Sequence, residues 1–570
     1  MESMTAWRPR RPAVWAFGLY LLLSLALMGW RMLPDPAVAC ACQGTDPATY
    51  VWSLAWWPHA LVNGLNPFVV HSVWYPYGAN LARFATIPSV SLALWPVTAI
   101  FGPQVSYNLV SLASPALAAF SAYLLCRRIC GRQLPALIGG YLFGFGAYQF
   151  PQLVGHPNLS LVFLIPLMVL LALKRVEREM SARAYLLGLG ALIVVQVGIS
   201  TEVLTTAVVL GFLLLLCSRV LAPEPYRGRI GGLMLETVGA GLIAALVTSP
   251  FLYYALVKGG APQEMPMVSD TYGLDLLNPV MPTISTWLGG SALHGLTVKF
   301  EHGDFAEANG YLSLPIIAAL IIWVLSTRRR TLARLVLIAF LASLVAALGS
   351  HLHVAGNQGI VLPYQLIRGL PLVNLVTPSR LVMYASLAAA VGVSAWLAEA
   401  TPGSRGRLAR WLVVGLGCVM VFPAPTGETW TAPPVTPAFF RTAIHRRYLR
   451  PGQVLLALPY GPYGTSMGWQ AACGFCFRMP EGYLGHFGPP QITGRQAVRE
   501  LLHEGYAVAP ANLARFLTSY DIHDIVLQAS TAELFPYAAE LEELGLHPLR
   551  VGGVLLFHVD SPALLGRSGG

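Results

Sequence analysis

Asp46 is the only acid between Asp35 and Leu173, and it opens a stretch crowded with polar and aromatic residues. That stretch runs through Gly44-Thr45-Asp46-Pro47-Ala48-Thr49-Tyr50-Val51-Trp52, His59, Asn63-Gly64-Leu65-Asn66-Pro67-Phe68 and Trp74-Tyr75-Pro76-Tyr77-Gly78-Ala79-Asn80. A carboxylate held there can serve as a general base. An Asp followed by Pro also suits a helix start, where its side chain caps backbone N–H groups. The two roles are compatible, because a cap also fixes the carboxylate. Farther on, His156 and Asn158 flank Pro157, Glu202 follows Ser200-Thr201, and Arg380 precedes an apolar run. Charges at membrane depth cost roughly 2.5–3.5 kcal/mol on insertion scales, so those that occur tend to face a cavity. The Arg380 guanidinium suits a bidentate grip on phosphate, or equally an interfacial anchor. Helix capping beside Glu202 and a satisfied structural role for His156 are the plain alternatives. Glu264, Asp270, Asp275, Glu301, His302, Asp304 and Glu307 are expected mostly on a solvated face. Glu301-His302-x-Asp304-x-x-Glu307 offers oxygen and nitrogen ligands to a divalent cation at an unspecific spacing, and His351 and His353 are weaker candidates.

The elements that position these residues are apolar. Of 570 residues 55% are hydrophobic and only 11% charged, with mean hydropathy +0.60. Soluble domains carry roughly 25% charged residues, so most of this chain is not built for water. The net charge of +10 does not indicate nucleic acid, since the arginines fall in short clusters between apolar runs and act as topology signals. The run from Ala13 to Trp30 exceeds the roughly 7–15 residues of a signal-peptide core. A retained signal anchor is therefore expected, despite the cleavage-like Ala37-Val38-Ala39.

Further runs lie at Gln104–Cys126, Leu134–Phe150, Leu159–Leu173, Ala184–Gly198, Val203–Cys217, Gly232–Val257, Gly310–Leu325, Leu332–Leu348, Leu381–Leu397 and Trp411–Phe422. A span needs about 20 residues, fewer where flanking side chains snorkel. Eleven spans place every cluster inside: Arg8/Arg10/Arg11, Arg127/Arg128/Arg132, Lys174/Arg175/Arg178, Arg219/Arg227/Arg229, Arg328/Arg329/Arg330 and Arg405/Arg407/Arg410. This requires Ile87–Phe101, broken by Pro96, not to cross; thirteen spans fit if short runs split differently. The expected architecture is an α-helical polytopic membrane protein over residues 1–423, N-terminus cytoplasmic, with external loops 34–86, 258–309 and 350–379. Residues 424–570 have ordinary globular composition. Strands at Val454–Leu458, Asp524–Leu527 and Val554–Val559, with helices at Arg495–His503, Ala511–Ser519 and Thr531–Leu544, predict an external α/β domain.

Cys126, Cys130, Cys217 and Cys418 lie in or beside spans and read as small apolar residues. Cys40, Cys42, Cys473 and Cys476 fall outside on this topology, where disulfides are the default. One arrangement bridges the first pair to the second; a zinc site is the alternative, although Cys40-Ala41-Cys42 is tight for it.

The first loop, with Asp46-Pro47-x-x-Tyr50-x-Trp52, Gly64-x-Asn66-Pro67-Phe68 and Tyr75-Pro76-x-Gly78, resembles the GT-C superfamily of polyprenyl-phosphate-sugar-dependent glycosyltransferases. Similar patterns are Gly155-His156-Pro157-Asn158-Leu159, Glu307-x-x-x-Tyr311-Leu312, Leu362-Pro363-Tyr364 with Leu370-Pro371 and Pro378-Ser379-Arg380, and Leu458-Pro459-Tyr460. The resemblance covers most of the chain and implies a multi-pass enzyme of the bacterial cytoplasmic membrane. It implies that a sugar moves from a polyprenyl-phosphate carrier to a glycan, lipid or protein acceptor on the external side. Asp46 would be the base; Arg380, His156 and Asn158 would meet the donor phosphate. Glu202, His59, Glu307 and Tyr311 are further candidates. Several such families pair acids in the first loop; Asp46 has no adjacent acid, which leaves the need for a divalent cation open.

The rivals are a transporter or flippase and a non-catalytic assembly protein of the same architecture. Ion-coupled transporters place ionisable residues near mid-bilayer and often repeat internally. Here the spans hold almost none; Glu236 is the exception, near the cytoplasmic edge.

Overall fold

The computed structural model describes residues 10–258, 271–302, 305–370, 373–424, 436–485, 488–502, 508–531 and 537–559. Arg8, Glu264, Asp270, Asp304, Pro371 and His503 lie outside the described residues. The chain divides into two compact units, one of Met1–Arg31, Leu109–Thr248 and Pro266–Trp430, the other of Met32–Asn108, Ser249–Met265 and Thr431–Gly570.

The first unit is helical. Among the described residues six helices are long and apolar enough to cross a membrane: Pro12–Met32, Pro103–Cys130, Pro157–Val176, Thr201–Leu221, Tyr226–Val247 and Pro378–Ala398. Ala182–Val197, Leu314–Thr327 and Thr331–Ala347 are shorter apolar helices. The run Leu134–Phe150 is not one helix: Gln133–Gly144 ends before Gln149–Gly155 begins. The run Gly232–Val257 divides likewise, with Ser249–Leu256 starting a new helix at Ser249-Pro250. Ile87–Phe101 forms two helices of six and seven residues, the second opening at Trp95-Pro96. Proline explains both breaks, since it lacks an N–H and disfavours helix at the residue before it.

Burial separates the helices by role. Pro378–Ala398 is 94% buried, packed by Ala388, Ala389, Ala390, Gly392 and Ala395 among its neighbours. Small residues let helix backbones approach where lipid removes the hydrophobic drive. A Cβ on Gly392 would come within 2.4 Å of Leu320 Cδ1, so a larger residue there would push that side chain aside. Thr201–Leu221, by contrast, has only 6% of its apolar stretch buried, the kind of surface a membrane covers. Glu236 is paired, accepting from Arg175 Nε at 2.7 Å and Nη2 at 2.6 Å.

The second unit joins the first loop to the C-terminal segment. The helix Asp46–Val62 packs on Ser466–Ala472, and Trp52 Nε1 donates to Gln470 Oε1 at 2.7 Å. Backbone bonds from Trp74 to Glu481, Tyr75 to Met479, and Met479 to Ser72 stitch the same two segments together. Residues of both share one core. The sheet holds the expected strands as Leu455–Leu458, Asp524–Gln528 and Val554–His558, plus Leu549–Val551 at an edge. Leu455–Leu458 runs parallel to Asp524–Gln528, and the remaining pairs are antiparallel. Gln496–Leu501, Pro510–Ser519 and Tyr537–Glu543 are the expected helices, within their described parts.

The cysteine expectation is corrected here. Cys40 bonds Cys42, and Cys473 bonds Cys476, with Cα separations of 5.2 and 5.6 Å. Each partner is already within disulfide reach inside its own short segment, so neither pair needs the other.

Candidate functional site

Four helices of the first unit begin at or just after site residues, and basic residues lie in or beyond their last turns. Pro157–Val176 starts at Asn158 and ends with Lys174 and Arg175; Thr201–Leu221 starts at Glu202 and ends with Arg219. Pro378–Ala398 starts at Arg380 and is followed by Arg405, Arg407 and Arg410. Leu314–Thr327 follows Glu307 and Tyr311 and leads into Arg328, Arg329 and Arg330. Helix starts carry unsatisfied N–H groups and partial positive charge, so they favour anions.

Arg380 lies at the centre. Its Nε and Nη2 donate to Glu307 Oε1 at 2.9 and 2.6 Å, and its Nη1 donates to Glu202 Oε2 at 2.7 Å. Ser379 Oγ donates to Glu307 Oε2 at 2.6 Å, and the Thr377 N–H donates to Glu202 Oε1 at 3.1 Å. The Glu307 side chain is 1% exposed. Burial pushes its carboxyl up, but the Arg380 charge and hydrogen bonds, His156 and Ser379 together bring it below the usual carboxylate range. Glu307 and Asp275 are thus not on a solvated face, as expected above. Both are buried, and Asp275 accepts backbone N–H groups from Leu277 and Gly356 at 2.9 and 2.7 Å. Buried acids persist only when paired or hydrogen-bonded, and each has such partners.

A buried polar layer supports this group. Gln152 Nε2 donates to Ala306 O at 2.8 Å, which turns its Oε1 toward His156 Nδ1 at 3.1 Å and makes Nδ1 the protonated nitrogen. Gln149 Nε2 donates to Ser160 O at 2.7 Å, and Asn158 is buried. Tyr311 is buried with its hydroxyl unpartnered among the described residues. Beside Arg380 a small cleft is lined by Glu202, Thr377 and Thr206, with Leu159, Val203, Val376 and Met383 giving an apolar wall.

Arg380, Glu202, Glu307, His156 and Asn158 therefore gather in the first unit, whereas Asp46 and His59 belong to the second. Thr45, not Asp46, holds the N-cap position; its hydroxyl donates to Pro462 O at 2.6 Å, and Asp46 opens the helix. An acid in the first turn still complements the helix dipole. His59 lies thirteen residues along the same helix, about 20 Å from its start at 1.5 Å per residue. There it packs on Phe475 with ring centres 4.3 Å apart and the rings tilted by 41°, and burial lowers its pKa.

The Glu301–Glu307 segment does not converge as a cation site within the described residues: Glu307 faces Arg380, and the His302 ring packs 4.6 Å from that of His353. No group of three or more His, Cys, Asp or Glu among the described residues is arranged to hold a metal.

Sequence reasoning missed Glu481. It is fully buried, accepts the Gly461 N–H at 3.1 Å, and burial pushes its carboxyl up to about 8 against the opposing pull of Gly461 and Ser466. The one available signal was an acid inside Met479-Pro480-Glu481-Gly482-Tyr483-Leu484, an otherwise uncharged stretch.

Residues 17–424 match the family described as a domain of unknown function, DUF6311. The chain belongs to that family. Among solved structures it resembles the archaeal oligosaccharyltransferase AglB from Archaeoglobus fulgidus in complex with an inhibitory peptide and a dolichol-phosphate: TM-score 0.56 at 13% identity, covering 97% of this chain and 75% of that one. It also resembles the arabinofuranosyltransferase AftD from Mycobacteria, with TM-score 0.57 at 14% identity, covering 98% of this chain and 40% of AftD. The DUF6311 chain thus has the GT-C fold. No curated protein matches it.

Proposed function

We propose that the chain is a GT-C glycosyltransferase of the bacterial cytoplasmic membrane, moving a sugar from a polyprenyl-phosphate donor to an acceptor on the external side. The observation that carries this reading is the partly buried ion-pair group of Arg380 with Glu202 and Glu307, at the starts of the helices Pro378–Ala398 and Thr201–Leu221 and beside an apolar-walled cleft in a GT-C fold. The opposite, basic ends of those helices belong inside by the positive-inside bias, which puts the polar site outside. Dolichol-phosphate in the AglB complex supplies the ligand chemistry by analogy. Residues 424–570 would then share the external compartment.

In the reaction Asp46 takes the proton of the acceptor hydroxyl. The acceptor oxygen bonds the anomeric carbon as the bond from that carbon to phosphate breaks, with inversion, and the polyprenyl phosphate leaves. Arg380, with His156 and Asn158 near it, stabilises the departing phosphate through charge-assisted hydrogen bonds. General-base catalysis contributes about 10²–10⁴-fold. Asp46→Asn in reconstituted liposomes should therefore lose transfer by at least about a hundredfold, with unchanged expression and melting. Equal turnover by mutant and wild type would remove Asp46 from the mechanism. Impermeant labelling of cysteines placed beside Asp46 and in the C-terminal segment should react from the same, external side; cytosolic reactivity at either would sink the reading.

A further inference from the structure

Arg380 would meet a phosphate already engaged, because each of its three nitrogens donates to a carboxylate. Nε and Nη2 are committed to Glu307, and Nη1 to Glu202. The two acids differ in how firmly they are held. Glu307 is 1% exposed and also takes the Ser379 hydroxyl; Glu202 is 18% exposed and lines the cleft.

Around the Glu202 carboxylate the structure builds an anion pocket. Arg380 Nη1 donates at 2.7 Å and the Thr377 N–H at 3.1 Å, at the start of the helix Thr201–Leu221. Tyr364, in the short helical turn Pro363–Leu366, lies within reach of the Glu202 charge, and its hydroxyl has no hydrogen-bond partner among the described residues. Burial, and then the Glu202 charge, push that hydroxyl up to about 12, so it is a donor at neutral pH. Guanidinium and backbone N–H form a donor pair for a phosphate oxygen, and a carboxylate fills it; the Tyr364 phenol is a further donor that the carboxylate leaves unused.

We propose that Glu202 is a resident stand-in for phosphate: a phosphate monoester or diester takes its place on Arg380 Nη1, the Thr377 N–H and Tyr364, while Glu307 keeps hold of Arg380. This rests on the lipid-phosphate reading above and adds to it the group that must leave. Exchanging one anion for another spares the site an additional buried negative charge, which a phosphate entering beside both acids would impose. Glu202 has somewhere to go, since its side chain borders the cleft and is partly exposed.

The test measures binding of a polyprenyl monophosphate in phosphatidylcholine nanodiscs, and of inorganic phosphate in the same buffer, to the full chain. Glu202→Gln keeps an acceptor for the Thr377 N–H but removes the competing charge. It should tighten binding by about tenfold, the gain expected when a competing state is depopulated. Tyr364→Phe should weaken binding about tenfold without changing the melting temperature, because its hydroxyl bonds nothing described in the ligand-free state. Arg380→Gln should weaken binding on the order of a hundredfold. Tightening for both probes supports exchange driven by the phosphate alone; tightening confined to the lipid supports exchange with the apolar wall engaging the chain. Glu202→Gln binding like wild type while Arg380→Gln binds weakly would overturn the exchange and leave the phosphate reading standing. Arg380→Gln binding like wild type would overturn both.

Discussion

The two units bury acids in opposite ways. In the helical unit the Glu307 side chain is 1% exposed with a guanidinium and a hydroxyl on its oxygens, and its carboxyl is held below the usual range. In the other unit Glu481 is fully buried with no cation paired to it among the described residues, and burial pushes its carboxyl up to about 8. The first arrangement keeps a charge inside by pairing it, and the second keeps an acid inside by leaving it protonated. Pairing suits a site that must handle an anion. Protonation suits a seam, and Glu481 sits in one: Thr45 bonds Pro462, Thr49 bonds Tyr483, and Trp74 Nε1 bonds Gly482. Those contacts flank Glu481 and hold the start of the helix that carries Asp46.

Removing the partner should hurt the paired acid's site most. Glu307→Ala leaves Arg380 buried beside Glu202 alone, a change expected to cost about 3–5 kcal/mol. Thermal unfolding in detergent should show a large drop, and Glu307→Gln, which keeps acceptor geometry, a smaller one. Equal, small shifts for both would mean that the pair contributes little.

The unpaired acid should respond to pH instead. Its carboxyl protonates near 4.5 when unfolded and near 8 when folded, so between these values the native state holds a proton that the unfolded chain has lost. Stability contributed at this position is therefore full below about pH 4.5, falls as pH rises, and is flat above about 8, at about 1.4 kcal/mol for each tenfold change in proton activity. Glu481→Gln should match wild type at pH 5 and melt higher at pH 8. Parallel melting curves across that range would show that Glu481 is not the titrating group.

That contrast marks what the sequence could reveal. Arg380 and Glu202 stood out because charges next to apolar runs are rare, Glu307 through the resemblance of Glu307-x-x-x-Tyr311-Leu312, and the fold brings them together as paired groups. Their pairing was not legible, since Glu202 and Arg380 are separated by 178 positions and the Thr377 N–H that completes the pocket is backbone. The buried Glu481 looked like any acid in a soluble domain, because its burial comes from the first loop folding onto a segment about 400 residues away. Helices were legible where apolar runs were uninterrupted. They were misjudged at Gly144–Gln149 and Ser249-Pro250, where one hydrophobic run becomes two elements.

The covalent links sharpen the comparison less, because both lie in the second unit. Each bridge closes a loop of only a few residues, so its effect on the unfolded chain is small, about 2 kcal/mol or less. Peptide mapping without reduction should recover Cys40 joined to Cys42 and Cys473 joined to Cys476. A peptide joining the first loop to residues 473–476 would overturn that pairing. Cys40→Ser with Cys42→Ser should lower the melting temperature by a few degrees only.

The smallest expected effect probes the seam itself. Thr45→Val removes one hydroxyl while preserving side-chain shape, and it leaves Pro462 O without that donor. A single hydrogen bond of this kind contributes about 1 kcal/mol to stability, too little to unfold the unit. The helix that Asp46 opens would nonetheless lose one of its fastenings to the turn Gly461–Tyr463. If the seam positions Asp46, Thr45→Val should lower kcat severalfold with KM nearly unchanged, because placement of a base acts on the transition state rather than on substrate binding. A loss in stability without a loss in kcat would assign the seam to folding alone and leave Asp46 positioned by its own helix.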